Sequence, residues 1–96
     1  MPAVLINIGP GANQTVVAAE AGRIHRLHRL LTAASAHLTP KSGSTALTPK
    51  LTAGDVSLDV VWNHEFPQTV AGESLVILND DMITRACWVE YDTVDG

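Results

Sequence analysis

Arg23-Ile24-His25-Arg26-Leu27-His28-Arg29-Leu30-Leu31 is the stretch that decides between two folds. Ile24, Leu27, Leu30 and Leu31 recur at helical spacing, and Arg23, Arg26 and Arg29 make a second stripe three residues apart. Taken alone, the segment reads as an amphipathic helix of about two and a half turns. As a strand it needs a bulge to hold its apolar residues to one side, because a strand changes face at every residue. The local pattern leans to the helix. The surrounding chain leans the other way.

On both sides of this stretch, turn signals recur at short intervals. They are Gly9-Pro10-Gly11-Ala12-Asn13, Ala21-Gly22, Pro40-Lys41-Ser42-Gly43-Ser44, Ala53-Gly54-Asp55, Asn63-His64, Ala71-Gly72-Glu73 and Asn79-Asp80-Asp81. Such spacing marks a sandwich or barrel, and valine and threonine fill much of what lies between. Val56 to Trp62 is the clearest strand, with Val56, Leu58, Val60 and Trp62 on one face. Leu75 to Leu78 is apolar on both faces, as a strand in the middle of the sandwich would be. In Ile83 to Tyr91, the alternation turns Cys87, Val89 and Tyr91 inward, with Trp88 and Glu90 outward or into an interface. Ala3 to Ile8 and Thr15 to Ala19 complete the expected set. The fold class is therefore all-β: a two-layer antiparallel β-sandwich formed by residues 1–96 as a single domain.

A chain of 96 residues is short for stable burial, and the usual staples are missing. Cys87 is the only cysteine, so no internal disulfide forms and no zinc framework exists. Oligomerisation is the remaining common route to stability. Charged residues are 17% of the chain, against about 25% in soluble domains, which suggests that other chains cover part of the surface. The net charge of −4 does not suggest a nucleic-acid binder. Its distribution is lopsided. Residues 1–50 hold one acid, Glu20, against Arg23, Arg26, Arg29, Lys41 and Lys50, whereas residues 51–96 hold nine acids against Arg85. This asymmetry reads either as solvated surface or as complementary contact between subunits. The first residues lack the basic region of a signal peptide, and the apolar runs are too short to span a membrane as helices.

Candidate chemistry is sparse. His25 and His28 share a face only in a helix, and His37 and His64 follow no ligand spacing, so no metal site is expected. No Gly-x-Ser-x-Gly elbow is present, and Cys87 lies among apolar residues, where cysteine is usually an inert small hydrophobe. Gly9-Pro10-Gly11 and Lys41-Ser42-Gly43-Ser44-Thr45 lack the rest of a phosphate-binding loop and read as turns. Neither catalysis nor a cofactor is expected. The arginine row reads best as meeting acids of a neighbouring subunit. Leu38-Thr39-Pro40-Lys41 recurs as Leu47-Thr48-Pro49-Lys50, which suggests a hairpin or loop with similar arms, each kept from a sheet centre by its proline.

Taken in order, Thr15-Val16-Val17-Ala18-Ala19, Ala21-Gly22-Arg23-Ile24, Leu30-Leu31-Thr32-Ala33-Ala34-Ser35, Lys41-Ser42-Gly43-Ser44-Thr45-Ala46-Leu47-Thr48 and Thr69-Val70-Ala71-Gly72-Glu73-Ser74-Leu75 resemble a group of small bacteriophage virion proteins. That group looks like jelly-roll β-sandwiches associated with capsid decoration or other particle components, often as trimers. Two positions depart from the pattern: the basic Arg23 to Arg29 replaces a more apolar strand, and Pro49 stands where a glycine is usual. The resemblance implies that residues 23–33 are a strand. It also implies a decoration (cement or turret) protein located in the virion, whose partners are itself and the major capsid protein or another virion protein. The candidate subunit or capsid contacts are Arg23, Arg26, Arg29, Lys41, Lys50 and Trp88. A module of a tail fibre or baseplate that binds a receptor or carbohydrate is the alternative.

Overall fold

In the computed structural model, residues 2–33, 36–52, 54 and 56–96 are described. They form nine strands: β1 (Ala3–Ile8), β2 (Asn13–Val17), β3 (Arg23–Thr32), β4 (His37–Ser42), β5 (Thr45–Ala46), β6 (Leu51–Thr52), β7 (Leu58–Val61), β8 (Leu75–Asn79) and β9 (Arg85–Asp95). No described residue is helical. The strands make two antiparallel sheets in the orders β1-β9-β3-β7 and β2-β8-β4-β5, with the two-residue β6 also on β4. With β6 left out of the count, this is the order of a jelly roll, a sandwich built from two Greek keys.

The deciding stretch is a strand, and it has its bulge. β3 runs beside β9 with Leu27 opposite Tyr91 and Arg29 opposite Glu90, so His28 is the extra residue. Before the bulge His25 and Leu27 face the core; after it Leu30 and Thr32 do. One added residue turns the period of two into a step of three, which is why the sequence imitates a helix here. Ile24 and Leu31 fall on the other side of the sheet, half-buried.

The core is Ile8, Leu27, Leu30, Ala36, Leu38, Ile77, Cys87 and Val89, with Val4, Ile6, Ala12, Val16, Leu51, Leu58 and Trp62 packed against it. Each fully buried leucine or isoleucine contributes about 1.5–3 kcal/mol relative to exposure. Cys87 and Val89 point inward and Trp88 outward, as the alternation in β9 predicts. The Val56–Trp62 strand is shorter than expected. It spans Leu58–Val61, and Val56 is exposed beyond its start. The Ala53-Gly54-Asp55 turn lies outside the described residues except for Gly54.

Pro40 corrects the expectation of an edge position. It is buried in β4, opposite Ile77 of β8, and β4 has neighbours on both sides. Its carbonyl accepts from Leu47 N at 2.8 Å, so its backbone edge faces away from β8, toward the break between β5 and β6. The missing N–H therefore costs no bond to β8. The second arm of the repeat, Leu47 to Lys50, is the connection between those two short strands. In the β4–β5 hairpin, Gly43 has φ of +57° at the first of two loop residues, where a type II′ turn calls for glycine.

Buried polar networks tie the ends of the sandwich together. Asn79, fully buried at the end of β8, has its Nδ2 2.9 Å from Ile8 O, 3.2 Å from Gly9 O and 2.9 Å from Ile83 O, while its Oδ1 accepts from Asp81 N at 3.1 Å. At the other end, fully buried His25 lies with Nε2 2.9 Å from Ala18 O and Nδ1 2.8 Å from Thr93 Oγ1, and its backbone N donates to Thr69 Oγ1. A carbonyl only accepts, so Nε2 of His25 carries a proton. Because Asn79→Ala leaves three carbonyls in two chain segments without their partner, it should lower unfolding free energy by about 2–4 kcal/mol. The check is urea denaturation, with the midpoint falling and the slope unchanged.

Candidate functional site

The outer face of the β1-β9-β3-β7 sheet collects three of the six residues singled out from sequence, Arg26, Arg29 and Trp88, whereas Arg23 falls on the face of His25 and Leu27 at the end of the sheet. Cross-strand register aligns Leu5, Trp88, Leu31 and Asp59 in one row, and Ala3, Glu90, Arg29 and Val61 in the next. Leu5 is 62% exposed, Val61 54% and Trp88 38%. The Trp88 indole N–H donates to Glu90 Oε2 at 2.9 Å, which satisfies the polar edge of the ring and leaves its apolar body on the surface.

The arginines on this face are already engaged within the chain. Arg29 makes a two-pronged contact with Asp59, at 3.0 Å from Nε and 3.0 Å from Nη2, and lies 3.4 Å from Glu90 through Nη1. Arg26 makes a similar fork with Asp92, its partner in the strand register. His28 Nε2 is 3.2 Å from Asp92 Oδ1, close enough for a charge contact but off the line of a hydrogen bond. The Phe66 ring packs on His28 with centroids 4.0 Å apart, and the Arg26 guanidinium sits 5.3 Å from its centre. Arg23 reaches Asp95 at 3.5 Å. Hydrogen bonding from Arg26 holds the Asp92 carboxyl below its ordinary value, and bonding from Arg29 does the same for Asp59. Asp81 is lowered first by the Met82 N–H and then by Arg85.

Of the other candidates, Lys50 pairs with Asp80 at 3.2 Å and Lys41 donates to Asn13 Oδ1 at 3.1 Å. Arg23, Arg26, Arg29 and Lys50 therefore all bind acids from the second half of the sequence. Strands from the two halves interleave, and the opposite charges meet inside one chain. Arg26 in particular is a cross-strand partner, so reversing its charge acts on the domain itself. Lys41 and Lys50 lie on the other sheet and its connections, away from the arginine row.

Leu5, Leu31 and Val61 were not among the sequence candidates, although the alternation of Ala3 to Ile8 already sets Leu5 against Val4 and Ile6. The contacts of His28 and Phe66, 38 residues apart in the chain, had no local signal.

Other chemistry is thin. His25 is buried inward while His28 lies toward the outer face, as a strand requires. Burial pushes the Cys87 thiol up to about 12, so it stays protonated at neutral pH. Among the described residues no cavity opens and no three His, Cys, Asp or Glu side chains converge on a point. Compared with protein-family models, curated proteins and solved structures, the chain finds no match.

The lowered carboxyls set an acid limit on stability. A carboxylate whose folded-state value lies below its unfolded one stabilises the fold fully above the ordinary value of 3.8, and that contribution fades as pH falls through the folded value. Thermal unfolding should thus be nearly flat from neutrality to about pH 5 and decline below about pH 4. Asp92→Asn should start lower at neutral pH and decline less steeply. Arg26→Glu, which sets a second carboxylate beside Asp92, should lower the unfolding midpoint of the purified domain.

Proposed function

We propose that the chain is a structural component of a bacteriophage particle, a capsid decoration protein that binds the outer shell and stabilises it. What carries the reading is that the sandwich is filled to its centre by Ile8, Leu27, Leu30, Leu38, Ile77, Cys87 and Val89, so what it offers a partner is surface. A jelly-roll strand order agrees with the virion proteins that the sequence resembles. In this reading the protein is no enzyme and needs no cofactor. It adds buried area across the joints of a shell, and many symmetric copies make modest single contacts sufficient through avidity. It works as an oligomer of itself, a trimer if the resemblance holds to that detail. Trp88, with its ring body outward and its N–H satisfied, is the best single anchor for such a contact.

The alternative, a receptor- or carbohydrate-binding module of a tail fibre or baseplate, calls for an exposed aromatic ring in a loop, free to stack on a sugar. Of the two aromatic residues between β7 and β8, Trp62 packs against the core and Phe66 on His28 and Arg26. The decoration reading therefore ranks first.

Particles purified from the phage encoding this chain test it directly. Quantitative mass spectrometry should find copies on the order of hundreds per particle, as symmetric shell positions require. A few dozen or fewer would move the protein to the tail, and its absence from particles would overturn the reading.

A further inference from the structure

We propose that β1 is a self-recognition edge, along which two copies of this chain pair antiparallel about a twofold axis and join their sheets into one. The inference goes beyond the particle reading and does not depend on it.

An open strand edge presents unpaired N–H and C=O groups, and natural proteins guard such edges with bulges, charges, proline or shortness. Three of the sandwich's sides carry these guards. β2 has a register shift between Thr15 and Val17; β7 is four residues long and carries Asp59; β5 and β6 are two residues each. β1 has none of them. It is six residues long and pairs with β9 without a shift from Ala3–Glu90 to Ile8–Arg85. It contains no proline, and residues 1–19 include no charged side chain. In a chain of net charge −4, identical copies approach with least repulsion through a segment of this kind.

The edge is also self-complementary. Tyr91 N donates to Pro2 O at 3.1 Å, so the even-numbered residues of β1 direct their backbone groups toward β9. Ala3, Leu5 and Asn7 then direct theirs to the open side, and their side chains are the exposed ones. Pairing about an axis normal to the sheet sets outer residues opposite outer residues, hence odd opposite odd. Centring on Leu5 uses all three open positions, as Ala3–Asn7, Leu5–Leu5 and Asn7–Ala3, with about six new hydrogen bonds. The outer face then carries one unbroken apolar row, Leu31, Trp88 and Leu5 from each copy. Val4 and Ile6, on the inner side, face each other across the same axis. Pro2 and Pro10 bound the segment and discourage slippage.

Light scattering on the purified full-length chain should give the mass of two chains. Leu5→Pro removes a backbone N–H that makes no bond inside the domain, and Leu5→Lys adds a charge on the exposed face. Both should give monomers, while Val70→Lys, at an exposed position elsewhere, stays dimeric. Leu5→Cys in an otherwise unchanged chain should oxidise to a covalent dimer, which reports the register even if the proline variant folds poorly. A monomeric parent chain, or a dimer unaffected by Leu5→Pro and Leu5→Lys, overturns the proposal. A trimer insensitive to Leu5 overturns it as well, yet leaves the oligomeric decoration reading in place.

Discussion

The single extra residue at His28 governs this structure. β3 is one of the two long inner strands of its sheet, running beside β9 along its length and β7 at its end. Without a bulge, its face pattern would be fixed from Arg23 to Thr32. Leu27 inside would then put Leu30 outside and Arg29 inside, burying a guanidinium among the core leucines. The bulge absorbs that conflict by reversing the alternation between Leu27 and Arg29. Leu27 and Leu30 both reach the core, Arg26 and Arg29 both reach the outer face, and the acids of β7 and β9 come within bonding distance.

The same residue explains what could and could not be read from sequence. β1 was legible to its ends, and β8 nearly so, because a short apolar run is bounded by turn residues in each case. Arg23 to Leu31 was ambiguous for a physical reason: a strand with one inserted residue and a helix both bring like residues back at steps of three and four. Nothing local distinguishes them, and the choice depends on whether β9 is present to pair. β4 was missed as a strand because its proline looked like a breaker. Pro40 is tolerated only because the outer neighbour of β4 is broken into β5 and β6 at that point, a tertiary circumstance no window of sequence contains.

The candidate site was half legible. The arginine row and Trp88 stand out as sequence, and Arg26, Arg29 and Trp88 lie on the outer face of one sheet. Their partners could not be named in advance, since Asp92 is 66 residues from Arg26 and Asp59 is 30 from Arg29. The buried polar ends of the sandwich were equally hidden. Asn79 looked like part of an acidic turn, and His25 like a histidine with no metal site to join. Instead each closes one end of the domain, Asn79 by holding the β1–β2 turn to the β8–β9 loop and His25 by joining the β2–β3 connection to β3 and β9. For a small domain without a disulfide, such fully bonded buried groups specify one arrangement more sharply than further apolar packing would.

Viewed this way, the segregation of charge along the sequence is a device for register. A strand whose charges are all basic and a facing stretch, Glu90 to Asp95, whose charges are all acidic attract in many alignments, but few of those alignments are also compatible with the apolar faces. Sliding β9 by one residue against β3 would take Arg26 from Asp92 and Arg29 from Glu90, and would turn Val89 out of the core. A slide of two would restore the faces, yet set Trp88 opposite Arg29 in one direction or Glu90 opposite Leu31 in the other. Exposed pairs of this kind add little stability one by one. Their worth lies in disfavouring the alternatives, and it explains how a chain with so few charges can place most of its bases against its own acids. Charge used in that way is largely neutralised before any partner arrives, which leaves recognition to apolar side chains and open backbone.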